Sequence, residues 1–108
     1  MVVKKDGRRE AFDRTKILGG LKKACEKRPI SMNDLEGVVD SIQKKIAGLG
    51  VKEIQSSWIG EEVMSALKEM DKVAYVRFAS VYRQFKDINE FLQEVTALFE
   101  HHKDKTMF

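Results

Sequence analysis

The chain has 108 residues, 43% hydrophobic and 34% charged, with one proline; this suits a single folded, helix-rich domain and excludes a disordered polypeptide. Its only cysteine, Cys25, rules out an intramolecular disulfide and a cysteine-pair zinc site, and no run approaches the roughly 18 apolar residues of a membrane span. Residues 1–16 hold six basic and three acidic side chains while the remainder holds fourteen of each, so the net charge of +3 is a local field, suited to a compact anion more than to a long duplex.

Met1 is followed by a charged hairpin and not by an apolar targeting segment, which gives the expectation of a soluble, cytoplasmic protein with no membrane partner. Val2 to Lys5 and Arg8 to Phe12 then flank Asp6-Gly7, a signal for a hairpin with a two-residue turn over residues 2–12. Pairing Lys5 with Arg8 and Val3 with Glu10 puts Val3, Lys5, Arg8, Glu10 and Phe12 on one face. Val2, Lys4, Arg9 and Ala11 fall on the other.

Asp13 caps a first helix over about 14–28, with Ile17, Leu21, Ala24 and Cys25 at helical spacing and Pro29 as its stop. Phe12 and Ile17 stand where a hydrophobic staple places them, before the cap and at the fourth helical position. Ile30, Ser31 and Leu35 repeat that start for a second helix over about 32–48, whose stripe of Leu35, Val39, Ile42, Ile46 and Leu49 stops at Gly48 and Gly50. Val51 to Gln55 alternates as a third strand beside the hairpin. Ser56 or Ser57 caps a helix over about 57–70, with Ile59, Val63, Ala66, Leu67 and Met70 inward.

Met70, Asp71 and Tyr75 form the third staple-like start, for a helix over about 72–102 without Gly or Pro. Phe78, Val81, Phe85, Ile88, Leu92, Val95 and Phe99 lie along one side of it. At about 1.5 Å per residue it reaches roughly 45 Å, so its far end frays or packs on another subunit. The fold class is α+β, mostly helical, in one domain spanning 1–108.

One local conflict in this layout points to function. The amino end of a helix carries partial positive charge and unpaired N–H groups, yet Arg14 and Lys16 occupy the first turn after Asp13. Long side chains can bend into water. However, Lys4, Lys5, Arg8 and Arg9 on the hairpin can converge with Lys16 there, and a triphosphate would relieve both the dipole conflict and the repulsion. Val2, Val3 and Phe12 would supply an apolar wall for a base or ribose, and Glu10 would accept from an amino group or hydroxyl. Tyr75 and Tyr82, seven apart, share a helix face and can aim a phenol at ribose or phosphate.

There is no Gly-rich phosphate loop ending in Lys-Ser/Thr and no Gly-x-Gly-x-x-Gly. His101 and His102 are adjacent and face solvent, Cys25 sits on the apolar stripe, and no nucleophile, base and orienting group assemble, so no catalysis is expected.

The run VVKKDGRREAFDRTKI, through Val2, Lys4, Lys5, Asp6, Gly7, Glu10, Phe12, Lys16 and Ile17, resembles the ATP-cone, the regulatory nucleotide-binding domain at the amino end of many ribonucleotide reductases. ACEKRP (24–29) and DKVAYVRFASVYRQF (71–85) are similar to the NrdR family, bacterial transcriptional repressors of ribonucleotide reductase genes. The resemblance implies a small three-stranded sheet capping a four-helix bundle, and ATP and dATP as ligands, with Mg2+ as a further option. It implies Lys4, Lys5 and Lys16 at the phosphates, Val2, Val3 and Glu10 near the base or sugar, and Ser56 and Tyr82 closing the pocket. It further implies a homo-oligomer that changes size with the nucleotide, and operator DNA bound through an amino-terminal zinc ribbon. With no paired cysteines here, zinc belongs only to that ribbon, and the resemblance covers only the sensing part, as a fragment or natural truncation. Ala11 stands where the family usually has proline. Two other readings are the allosteric cone of a reductase catalytic subunit and a small basic nucleic-acid-binding module that uses its hairpin as a β-ribbon.

Overall fold

A computed structural model describes residues 1–83, 89–90 and 92–98. Its elements run β1 (Val2–Val3), β2 (Arg9–Glu10), α1 (Arg14–Ala24), α2 (Met32–Leu49), β3 (Ile54–Gln55), α3 (Ser56–Met70) and α4 (Lys72–Tyr82). The strands form one sheet in the order β2-β1-β3, with β1 antiparallel to β2 and parallel to β3. This is the mostly helical α+β layout with a small three-stranded sheet that the sequence implied.

The hairpin differs from the expected one by a residue. Val2 pairs with Glu10 and Val3 with Arg9, and the Lys4 N–H donates to the Arg8 carbonyl at 2.8 Å, leaving a loop of Lys5, Asp6 and Gly7. A two-residue type I′ turn needs positive φ at both Asp6 and Gly7. Here only Gly7 adopts it, at +86°, and its N–H closes a turn onto the Lys4 carbonyl at 2.9 Å. The three-residue loop thus confines the left-handed conformation to the glycine. Because strand faces alternate, the slip moves Val2 and Lys4 to the face of Glu10 and Phe12 and turns Val3 to the opposite face.

All three expected helix starts form. Asp13 accepts from the Lys16 N–H at 3.3 Å, Ser31 and Asp34 make a reciprocal capping box, and Asp71 accepts from the Ala74 N–H at 3.0 Å. The helix ends are less regular. α1 stops at Ala24 and not near residue 28, because Lys27 turns left-handed at φ 61° and Arg77 of α4 donates to the Ala24 and Glu26 carbonyls. α2 runs through Gly48 and ends at Gly50, which is left-handed at φ 64°. α3 starts one residue earlier than expected and has no side-chain cap; Gln55, held extended by β3, leads directly into it, so Ser56 is its first residue and not its cap.

The largest departure is at the last helix. α4 ends at Tyr82 with Arg83 extended, and residues 89–90 and 92–98 form a separate helical stretch. The Tyr75 hydroxyl donates to Glu94 Oε1 at 2.5 Å, whereas a straight helix would place these residues, 19 positions apart, about 28 Å from one another at ~1.5 Å per residue. Folding back places Leu98 in the core at 5% exposure, which one long rod would leave in water. Val81 and Leu92, placed along the same side as the buried Phe78, are 80% and 50% exposed. Phe85, Ile88 and Phe99 of the expected stripe lie outside the described residues.

The core lies between the helices, with Leu21 of α1, Val39 of α2, and Val63 and Leu67 of α3 fully enclosed. Tyr75, Phe78 and Ala79 of α4 close it, and Val2 anchors the sheet upon it.

Candidate functional site

Where the sheet meets the amino ends of α1 and α3 there is a cavity of about 80 Å³. β1 and the residue after it supply Val2 and Lys4, β2 supplies Glu10, and the link to α1 supplies Phe12 and the Asp13 cap. Lys16 comes from the first turn of α1, Ser56 from the first of α3, and Tyr82 from the last position of α4. Seven of the nine residues proposed from the sequence therefore meet at one place. Val3 and Lys5 do not line it: the corrected register turns Val3 to the other face, and Lys5 lies in the hairpin loop. Ile17 and Ile59 complete the apolar wall, and Ile17 was legible from the sequence only as a staple.

Glu10 organises the polar side. Its Oε1 accepts from Lys16 Nζ at 3.0 Å and lies 3.3 Å from Lys4 Nζ. The Lys16 ammonium, with Lys4 adding to it, holds the Glu10 carboxyl below the usual carboxylate range, and Glu10 in turn holds Lys16 above the usual lysine range.

The three front arginines are spoken for. Arg8 pairs with Asp6 at 2.7 Å, Arg9 with Glu53 at 2.5 Å, and Arg14 with Asp40 at 2.7 Å while donating to Gln43 at 2.6 Å. Arg14 thus reaches across to α2, away from the amino end of its own helix. Of the hairpin cations expected to converge with Lys16, only Lys4 does so.

Tyr82 forms a wall that can yield. Its ring stacks on Phe78 with centroids 4.6 Å apart and 11° between planes, and it lies on the backbone of Gly60 in α3. A β-carbon at Gly60 would come within 2.7 Å of the ring, so glycine is what admits it. The sequence signal for this contact was an isolated glycine inside an amphipathic helix. At about 80 Å³ the cavity is well below the ~300 Å³ or more of ordinary small-molecule sites, so a ligand of nucleotide size requires this exposed wall to move. Among the described residues, no group of three His, Cys, Asp or Glu side chains is arranged to hold a metal, so the donor set does not fit a protein-ligated ion.

Comparison with known families now bears on this geometry. The family model of the ATP cone domain matches residues 1–88. The chain belongs to the ATP-cone family. Every residue lining the cavity lies within the matched span, and so do all four named helices of this ATP-cone. Its relatives include proteins called transcriptional repressor NrdR. That of Myxococcus xanthus is 62% identical over 93% of this chain and 60% of its own length, and that of Syntrophotalea carbinolica 55% identical over 88% and 60%. That of Bacillus cytotoxicus is 52% identical over 96% and 68%. The ATP-cone chain thus spans about 60% of the length of the first two. These relatives are named as repressors and not as enzymes. Among the described residues of this ATP-cone, no helix is long and apolar enough to cross a membrane.

Proposed function

We propose that this domain binds ATP and dATP in the cavity between the sheet and the amino ends of α1 and α3, as the sensing part of a cytoplasmic repressor of ribonucleotide reductase genes. The observation that carries this reading is the meeting of Lys4 and Lys16 with Val2, Phe12, Ser56 and Tyr82 on a chain of the ATP-cone family. The two lysines and the amino end of α1 take the phosphates, with any Mg2+ held by the phosphates themselves. The apolar wall takes the base or sugar, and Tyr82 closes over it. Val3 and Lys5, outside the cavity, have no part in this version of the site.

Bound nucleotide biases the association of subunits, and through it the grip on operator DNA of a zinc ribbon for which this chain has no cysteine pair. The names of the relatives favour this reading over the cone of a reductase catalytic subunit. Ion pairing of Arg8, Arg9 and Arg14 weighs against a basic nucleic-acid ribbon. Calorimetric titration with ATP, dATP and GTP tests the ligand class, and absence of heat from both adenine nucleotides at millimolar concentration removes the proposal. Light scattering after size-exclusion chromatography tests the switch; a mass that is the same without ligand, with ATP and with dATP denies it.

A further inference from the structure

Glu10 holds the position that an anionic ligand also needs. One carboxylate oxygen bridges two ammonium groups, Lys16 of α1 at 3.0 Å and Lys4 beyond β1 at 3.3 Å. A phosphate oxygen recognised by the same lysines has the same sign of charge, accepts the same hydrogen bonds and requires the same bridging placement. The other acid lining the cavity, Asp13, uses its side chain to cap the Lys16 N–H. Arg8, Arg9 and Arg14 pair with carboxylates outside the cavity, so none of them offers an alternative berth for an incoming anion there. Without Glu10, two ammonium groups near one point would repel each other.

We propose that Glu10 is a built-in competitor for the anion position: a polyphosphate binds by exchange with the Glu10 carboxylate at Lys4 and Lys16, not by addition to two free lysines. This rests on the nucleotide reading of the cavity and gives Glu10 a role opposite to contact with the base or sugar. Exchange makes the site selective by charge. A chloride or acetate ion gains no more than it displaces, while a triphosphate brings several charges to the same two ammonium groups.

The test is calorimetric titration of the chain and its Glu10→Gln variant with inorganic tripolyphosphate and with ATP. Exchange predicts that the variant binds tripolyphosphate about fivefold tighter or more. ATP tightens in the same direction, and Lys16→Ala introduced into the variant cancels the gain. If Glu10→Gln fails to fold, Glu10→Asp, whose shorter carboxylate reaches the lysines less well, must show a smaller gain of the same sign. Unchanged or weaker tripolyphosphate binding overturns the inference and leaves the nucleotide reading standing. Weaker ATP binding with unchanged tripolyphosphate overturns it too, by making Glu10 a nucleoside contact. No heat from either probe in either protein removes the nucleotide reading, and this inference with it.

Discussion

Replacing Gly60 with alanine separates the pocket wall from the stability of the fold. The new β-carbon would lie 2.7 Å from Tyr82 Cε1 and 2.9 Å from Cδ1, against the ~3.5–4.0 Å of unstrained carbon contacts, so something must move by about 1 Å. The α3 backbone at Gly60 is buried and held by its helix, whereas Tyr82 is 45% exposed on the last residue of α4. The ring is what yields. Loss of its stack on Phe78 costs roughly 0.5–1.5 kcal/mol, and alanine in place of glycine in a helix interior returns about 1 kcal/mol. The terms nearly cancel, and melting followed by circular dichroism should shift by no more than about 5 °C. Binding should not be spared: with Tyr82 displaced, the affinity for dATP falls about tenfold, corresponding to ~1.4 kcal/mol. Tyr82→Ala should lose as much, and the double variant no more than either alone. Parental dATP affinity in Gly60→Ala refutes the role given to Tyr82. A fall in melting temperature beyond about 15 °C shows that the backbone, and not the ring, absorbed the clash.

Lys16→Ala should weaken ATP binding roughly 10- to 100-fold, the worth of a charge-assisted hydrogen bond of ~1.5–3 kcal/mol, and should lessen the salt dependence of binding while barely changing the melting temperature. Asp71→Ala removes the α4 cap and the 2.9 Å bond from Arg28, so a loss of about 2–3 kcal/mol is expected in urea denaturation; Asp71→Asn, which keeps the cap, should lose less. Burial pushes the Asp71 carboxyl up, but the Ala74 N–H and the Arg28 guanidinium outweigh it and leave it below its ordinary value of 3.8. Its contribution is therefore complete above about pH 4 and disappears as the pH falls through the lower folded value; a pH series of melts should show that acid limb shallower in Asp71→Asn. Tyr75→Phe removes the hydroxyl that holds Glu94, and hydrogen exchange in residues 92–98 should quicken about fivefold, for a bond of ~1 kcal/mol, with slower loss elsewhere.

The sequence was legible wherever a short-range rule was sufficient. Asp13, Ser31 and Asp71 announced their helices because a cap is a contact between a side chain and the N–H three residues on, and all three form. The misses occurred where a distant partner decided the outcome. Arg77 ends α1 from more than fifty residues away, and Glu94 joins Tyr75 and Arg83 to fold the last stretch back across α4, although nothing between 72 and 98 is a helix breaker. The hairpin shows how small an error suffices. Asp6-Gly7 announced a turn correctly, but the choice between a two- and a three-residue loop depends on whether Asp6 takes positive φ, and that one-residue slip exchanges the two faces of β1.

The same slip explains why the lining of the cavity was mostly, but not wholly, legible. A strip of basic and apolar residues beside a helix amino end fixes the neighbourhood of the cavity, since Lys4, Glu10, Phe12 and Lys16 are close in sequence and need only the chain reversal to meet. Which of two adjacent residues enters the cavity depends on register. Val2 and Lys4 enter because their pairing sets them on the face of Glu10; Val3 and Lys5 are excluded by the same fact. Glu10 is the reverse case. Its position was legible, but its bond to two lysines was not, because a carboxylate among cations can equally face a ligand or neutralise its neighbours. Only the placement of Oε1 between Lys4 and Lys16 separates those roles, and with it the repulsion between these two lysines is relieved from within. Electrostatic relief therefore does not by itself require a ligand, and the case for a nucleotide rests on the shape of the walls and on the family to which the chain belongs.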